Sequence, residues 1–547
     1  MAEASYSQDT IDSTTILGKH GKPGDPQPIQ EIDLKMGDVV SIVGPTGSGK
    51  TTLINDIELC PRATTHAPRQ RGVRPFASTV ARKPGVLTVS APPIPLVGDA
   101  RPVPCADGEE RPYLSFDAAS STSALPSVFR RVKKFIPWYS SVHRGAGYKS
   151  QLSTAAYEAA REAVLAFAGR NGRDDVAIIC RNTTEAINHL AYRLRLAKSD
   201  IVVTTVIEHH ANVLPWSRLA TCRFVECGPE GTFEVEDIRV ALDEPPVPRL
   251  LAITGASNVT GWIPPLEEII AAAHARDIPV VIDAAQLAMH RPLPKAADFV
   301  AFSGHKMYAP FGAGVLIGPR RVFADGDPFL VGGGAVDLVD LDEVIWTGLP
   351  DREEAGSPNV VGAIALHAAI DAFLEAGWPA LIAYDCHLAE VLRTGLESIP
   401  GVRLLGPSPQ AETLPVATFV VEGVPHALVA ARLATEDAIG VRHGCFCAHP
   451  YLIRLLGLSR EDVASYRDEV RHGDHRRRPG AVRASAGINT TEEDVDRLLN
   501  AIARLAAGDL PPVAYCQDPR TGDFLPALDA APWQLEFRSH ESPHLLG

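Results

Sequence analysis

DFVAFSGHK, residues 298–306, decides how the body of this chain reads. Its apolar run lacks the alternation of a half-exposed strand, which marks a strand buried on both faces of a largely parallel sheet. Directly after it come Ser303, Gly304, His305 and Lys306. Ligands in such sheets sit beyond the carboxyl ends of the strands, so the residues that follow each strand are where chemistry is expected.

The same arrangement repeats outward from this stretch. VAIIC (176–180), DIVVTTV (200–206), RLLAIT (249–254), PVVID (279–283) and GVLIG (314–318) read as strands, separated by amphipathic helices at 184–196 and 265–276. Strands alternating with helices predict an α/β domain. The residues after those strands form a set: Arg181 to Glu185, then Glu208-His209-His210, Ser257-Asn258, and Asp283 with Gln286. Thr183 and Thr184 open a helix, where hydroxyls and free N–H groups suit a dianion.

The motifs TTEAIN, EHHANVLPW, SNVTG, IDAAQ, SGHK, GSPN, a cysteine loop and VRAS follow one another in the order and approximate spacing of the class V aminotransferases, over roughly residues 113–505. The chain resembles that family, and within it the cysteine desulfurases and selenocysteine lyases. The resemblance implies fold type I of the enzymes that use pyridoxal phosphate (PLP): a large, mainly parallel sheet domain, a smaller C-terminal α/β domain and a homodimer. It implies PLP as cofactor, an amino-acid substrate and a sulfur-acceptor protein.

Residue by residue, the resemblance gives Lys306 the covalent link to the cofactor aldehyde and Asp283 the pyridinium nitrogen. His209 stacks on the ring, Gln286 bonds its oxygen and Asn258 lines the same side. Ser303 and His305 complete the phosphate cup with Thr183 and Thr184, and Ser357 of GSPN reaches across the dimer interface. Arg483 grips the substrate carboxylate, and Asn212 assists at the mouth. In VRHGCFCAHP (441–450), aligning Arg442 and Gly444 with the family's RxGxxC loop places Cys447 at the nucleophile position. Cys445 then stands where a histidine is common, which leaves open which thiol attacks.

An extended loop would project Cys445, Cys447 and His449 to one face. Three ligands without a fourth do not make a zinc site, and no metal is expected. Protonated His443 or His449 near Cys447 would favour its thiolate. The implied reaction converts L-cysteine to L-alanine and leaves a persulfide. A transaminase or another PLP-dependent lyase is the alternative on the same scaffold.

A reading of another class comes from SIVGPTGSGKTT (41–52), which satisfies GxxxxGK[ST] through Gly44, Gly49, Lys50 and Thr51 and suggests an ATP-binding module. No partner strand supplying a magnesium carboxylate follows it. The expected organisation is a phosphate-loop fragment (1–60), a Pro/Arg/Gly-rich linker (61–110), a large PLP-binding domain (111–370), a small domain (371–510) and a tail (511–547).

Composition sets the bounds. The chain has 547 residues, 45% of them hydrophobic, enough for several structural units with a sizeable core. A formal net charge of −14 argues against nucleic acid or anionic membrane as partner, and HRRRP (475–479) reads as a solvated loop. Nine cysteines without regular spacing fit reduced thiols. With neither an apolar span nor a secretory start in MAEASYSQDTIDSTT, a cytoplasmic protein is expected.

Overall fold

The computed structural model describes residues 93–408 and 411–527, together with the short strands Thr15–Ile16 and Gln27–Pro28. The chain divides into residues 1–87 and 88–547, and those two strands pair antiparallel within the first unit. The phosphate-loop residues Gly44, Gly49, Lys50 and Thr51 lie outside the described residues.

A seven-stranded sheet dominates the second unit: β1 (Asp175–Cys180), β2 (Ile201–Thr205), β3 (Thr221–Val225), β4 (Leu250–Thr254), β5 (Val280–Asp283), β6 (Phe299–Ser303) and β7 (Gly314–Pro319). Their order is β1-β7-β6-β5-β4-β2-β3. Only β7 runs against its neighbours. Every residue of β2, β4, β5 and β6 is buried, which is why their sequences are continuous apolar runs. The functional strand ends all point the same way as a consequence.

Helices cover the sheet, among them α1 (Tyr148–Phe167), α2 (Thr183–Arg193), α3 (Leu266–His274) and α4 (Val360–Ala376). Asn182 caps α2 by accepting the Glu185 N–H, which leaves the first turn's other N–H groups at the end of β1. α4 continues past the expected domain boundary at residue 370. The break comes instead at Gly377, whose φ of 80° suits glycine, and α5 (Trp378–Glu397) starts there at an 87° bend. Among the described residues no single helix is long and apolar enough to cross a membrane.

A four-stranded antiparallel sheet forms the smaller domain: β8 (Val402–Leu405), β9 (Val416–Val421), β10 (Arg442–Gly444) and β11 (Ala481–Ser485), in the order β8-β9-β11-β10. With α5, α6 (His426–Asp437) and α7 (Glu492–Ala506) it encloses a second core around Leu388, Leu392, Phe419, Leu433, Val482 and Leu498. Leu114–Ser115 pairs with Ile439–Gly440 and Phe116 joins this core, so the residues just after 111 pack with the smaller domain.

Residues 93–110 are not the open linker expected of them. Ile94 donates its N–H to the Ile488 carbonyl, Cys105 is buried, and Pro102–Pro104 pairs with Glu110–Pro112. Proline suits such an isolated two-stranded ribbon, whose outer edges need no donors. The tail's described part also packs: the hairpin of Tyr515–Gln517 and Phe524–Pro526 lies on α6, with the Tyr515 hydroxyl donating to Glu436 at 3.0 Å.

Candidate active site

A cavity of about 230 Å³ opens beyond the carboxyl ends of β1, β4, β5 and β6. The sheet side supplies Lys306, Asp283, His209, Asn258 and Gln286, and the start of α2 with the end of β6 supplies Thr183, Thr184, Ser303 and His305. From the smaller domain come Arg442, Phe446, Cys447 and Arg483. Residues from 183 to 483 thus share one cavity, the large-domain ones because they stand at or just after strand ends and Arg442 and Arg483 because they lie on strands of the smaller domain.

Electrostatics differ from group to group. Burial, reinforced by the charge of Arg483 and opposed by Asp283, lowers the Lys306 amine to about 8. A lysine so shifted is neutral often enough to act as nucleophile or base. Asp283, at the end of β5, is raised by burial, against the opposing pull of the Ala285 N–H and Lys306. His209 is lowered to about 4, first by burial and then by Lys306, so its ring is neutral. Its Nδ1 accepts the Ala211 N–H at 3.0 Å, which places the ring proton on Nε2.

At the other end, the Thr183 N–H donates to Ser303 Oγ at 2.8 Å, and the two hydroxyls lie 2.6 Å apart. A Cβ on Gly314 would stand 2.4 Å from Asn182 Cα, so glycine there lets the strand pass under the α2 cap. Helix N–H groups, three hydroxyls and His305 make an anion cup.

The cysteine loop is a tight turn and not an extended strand. Phe446 and Cys447 have φ of 54° and 55°, and the Ala448 N–H returns to the Cys445 carbonyl. Two left-handed non-glycine residues cost on the order of 1–2 kcal/mol each and need external support. Asn258 Nδ2 donates to the Phe446 carbonyl at 2.7 Å, the His210 N–H donates to the Cys447 carbonyl at 2.8 Å, and the Phe446 ring lies under the Arg483 guanidinium. The turn destroys the two-residue period, so Cys447 is exposed on the cavity while Cys445 packs toward the core.

Two further expectations change. Asn212 is fully buried outside the cavity, with its amide bonded to Glu208 and Trp216, so it does not stand at the mouth. Burial lowers both His443 and His449, so neither carries charge toward Cys447 near neutral pH. Ser357 lines a cleft of its own chain with His143 and Arg144, away from that chain's phosphate cup, so its expected role across a dimer interface stands as it was. Cys445, Cys447 and His449 do not converge as metal ligands; among the described residues the trio that does is His143, Glu158 and Asp351.

The sequence reading passed over Asp117 and Ser120, and it gave Glu208 and His210 a place after a strand but no role. Glu208 is buried and raised to about 8, and it ties Thr205, Asn212 and the Thr254 N–H together behind the cavity. Asp117 and Ser120 both bond Arg483. Their signal was FDAAS (116–120), polar residues directly after the short apolar stretch YLSF.

The family model for aminotransferase class V matches residues 114–498. The chain belongs to this family. Among its class V relatives, the cysteine desulfurase of Pectobacterium atrosepticum is 33% identical over 426 residues, covering 76% of this chain and 98% of that protein. The cysteine desulfurase of Yersinia pseudotuberculosis is 33% identical over 408 residues, covering 72% and 94%. In solved structures, the apo cysteine desulfurase of Thermococcus onnurineus aligns with a TM-score of 0.65 at 30% identity, over 72% of this chain and 95% of that one. The cysteine desulfurase CsdA of Escherichia coli, in an S-sulfonic acid form, aligns at 0.62 and 31%, over 72% and 94%. The fold is that of the PLP-dependent fold type I enzymes.

The residues of this class V site fit PLP. A buried carboxylate, a lysine amine of lowered pKa and a hydroxyl-lined helix start are the complements of a pyridine nitrogen, an aldehyde and a phosphate. Gln286 Oε1, buried on the wall without a hydrogen-bond partner, is a polar atom that a hydroxylated ring would satisfy.

Proposed function

We propose that this protein is a PLP-dependent cysteine desulfurase, taking L-cysteine and the Cys447 thiol to L-alanine and a Cys447 persulfide. The observation that carries the reading is the presence of Lys306 and Cys447 in the lining of one cavity, each contributed by a different domain. When bound, PLP supplies an aldehyde and an electron-withdrawing ring for the substrate amine and Cα.

The chain's own groups do the rest. Thr183, Thr184, Ser303 and His305 would hold the phosphate, Asp283 the ring nitrogen, and His209 one ring face, with Gln286 and Asn258 at its edge. Lys306 binds the cofactor and then moves the Cα proton, for which an amine with a pKa near 8 is suited. Arg483 fixes the substrate carboxylate in a planar fork. Cys447 attacks the substrate sulfur: a bond forms between the two sulfurs, the Cβ–S bond breaks, and the carbon skeleton leaves as alanine with the displaced proton.

A homodimer accompanies the reading. Leu338, Val339 and Leu341 project from the hairpin of Val336–Val339 and Val344–Trp346, with Leu341 99% exposed. Arg144 bonds the Val336 carbonyl beside the Ser357 cleft. A second copy would cover this apolar hairpin, and the family resemblance has Ser357 of one copy reach the phosphate cup of the other. The eight described cysteines are all free, which supports a reducing, cytoplasmic setting and a persulfide passed on to an acceptor protein.

The test incubates cofactor-loaded protein with L-cysteine and measures alanine, sulfide released by reductant, and keto acid. Alanine matched by sulfide, with persulfide mass on Cys447, is expected. Keto acid without persulfide would replace the desulfurase reading with a transaminase.

A further inference from the structure

HRRRP (475–479), which reads from sequence as a solvated loop, instead walls a second concave site on the smaller domain. This cleft measures about 370 Å³, within the range of small-molecule sites. Its floor is apolar: Val420 and Val421 of β9, Val424, Leu456 at the end of the helix His449–Leu456, and Leu458 just beyond it. Tyr466 closes one side, from the helix Arg460–Arg471.

Arg403, Arg477 and Arg478 line the site, and no carboxylate does. Arg477 is shared with Glu469 at 2.8 Å and lies over the Tyr466 ring. Among the described residues, neither Arg403 nor Arg478 has an ion-pair partner. In a chain of formal charge −14, three guanidiniums around one cavity without a lining acid are a local inversion of sign.

The run is also anchored. The Arg478 carbonyl lies 3.2 Å from His426 Nε2 at the start of α6, and a Cβ on Gly480 would stand 2.4 Å from that same nitrogen. The backbone carrying the guanidiniums is therefore packed against the helix and not free to disperse into solvent.

We propose that this cleft binds an organic phosphate whose body is apolar or aromatic. Planar guanidinium forks match the oxygens of a phosphate dianion, and an apolar floor disfavours a bare, fully hydrated ion. A nucleoside monophosphate and a simple aryl phosphate share this chemistry.

Titration calorimetry tests the proposal on full-length, PLP-loaded protein carrying Lys50→Ala, so that neither the catalytic phosphate cup nor the N-terminal phosphate-loop motif supplies the signal. The probes are adenosine 5′-monophosphate, phenyl phosphate and inorganic phosphate. At least one organic phosphate is expected to bind about tenfold tighter than inorganic phosphate, and which one does so identifies the source. Arg403→Ala and Arg478→Ala should each weaken it by on the order of tenfold, the scale of a charge-assisted contact. Arg403→Lys and Arg478→Lys keep the charge and should lose less. Thermal melting by circular dichroism verifies that these exposed positions leave the fold intact. Equal affinity for inorganic phosphate, no measurable heat with either organic probe, or affinity unchanged by both arginine truncations would overturn the assignment.

Discussion

Arg483 Nη2 lies 3.1 Å from Asp117 Oδ1, across 366 residues of sequence. The same nitrogen donates to Ser120 Oγ at 2.6 Å, and Nη1 donates to the Asn258 carbonyl at 2.8 Å. Under the desulfurase reading, the guanidinium meant for a substrate carboxylate already holds an internal one. Asp117→Asn keeps the shape and removes the competing charge, so L-cysteine should bind tighter, by a factor on the order of three to ten. Asp117 also helps hold the Lys306 proton, so the acidic limb of kcat should move to lower pH in the variant. If Asp117 merely props Arg483 in place, KM rises instead and the limb stays.

Lys306 sets a pH dependence of its own. Its amine must lose a proton before it can accept one from the substrate, and burial brings its pKa down to about 8. Turnover should therefore rise with pH through about 8 and flatten above it. Lys306→Ala should abolish both turnover and the visible absorbance of the lysine-bound cofactor. Reduction by borohydride followed by peptide mapping should find the label on Lys306, and a label on another lysine would refute the assignment.

Cys447 and Cys445 should separate cleanly because the turn at Phe446 sends them different ways. Cys447→Ser should keep the cofactor spectrum and its change on adding L-cysteine, yet form no persulfide and little alanine. Cys445→Ser, altering a side chain packed toward the core, should cost stability by about 1 kcal/mol while leaving the persulfide on Cys447. Persulfide found on Cys445 alone by mass spectrometry would place the nucleophile one alternation away.

The six apolar strands and the residues after them were legible because both faces of the sheet are covered, so burial writes itself into sequence as unbroken Val and Ile. β3 lacks that signature: TCRFV lies at the sheet edge, half-exposed, and reads as nothing in particular. Asp117 had a local signal in FDAAS after YLSF, but its partner was illegible, since no local rule links it to an arginine 366 residues away. The cysteine loop misled because side-chain period two holds only for extended backbone, and left-handed Phe446 and Cys447 are paid for by tertiary contacts with Asn258 and His210. Asn212 followed the family pattern in place but not in direction, its amide being needed to satisfy buried Glu208.

Truncations from the N-terminus should show a sharp threshold. A chain starting at residue 88 keeps the Ile94–Ile488 hydrogen bond, buried Cys105 and the hairpin of Pro102–Pro104 with Glu110–Pro112. It should bind PLP and turn over as the full chain does. Removing residues 1–110 deletes these contacts and should lower the melting temperature by several degrees, about 1–3 kcal/mol of burial and hydrogen bonding. Loss of turnover on the shorter cut would tie the phosphate-loop segment to catalysis.

The tether on the cysteine loop should loosen in acid. His210 donates its N–H to the Cys447 carbonyl, accepts the His449 N–H on Nε2 at 3.3 Å, and stacks its ring on that of His449 at 5.1 Å. Burial, then mutual repulsion with His449, lowers the His210 pKa below 6.5, and burial does the same for His449. An open loop therefore takes up protons more readily than the closed one, so the closed turn is fully favoured above about pH 6.5 and loses stability as pH falls below it. Protonated His210 also cannot accept from His449. Hydrogen-exchange protection of the Cys447, Ala448 and His449 amides, corrected for intrinsic rates, should fall between about pH 7.5 and about pH 5.5. In His210→Gln, which keeps the backbone contact and removes that titration, the protection should be lower at the start and depend less on pH. Identical pH profiles in the two proteins would show that the histidine pair does not govern the loop.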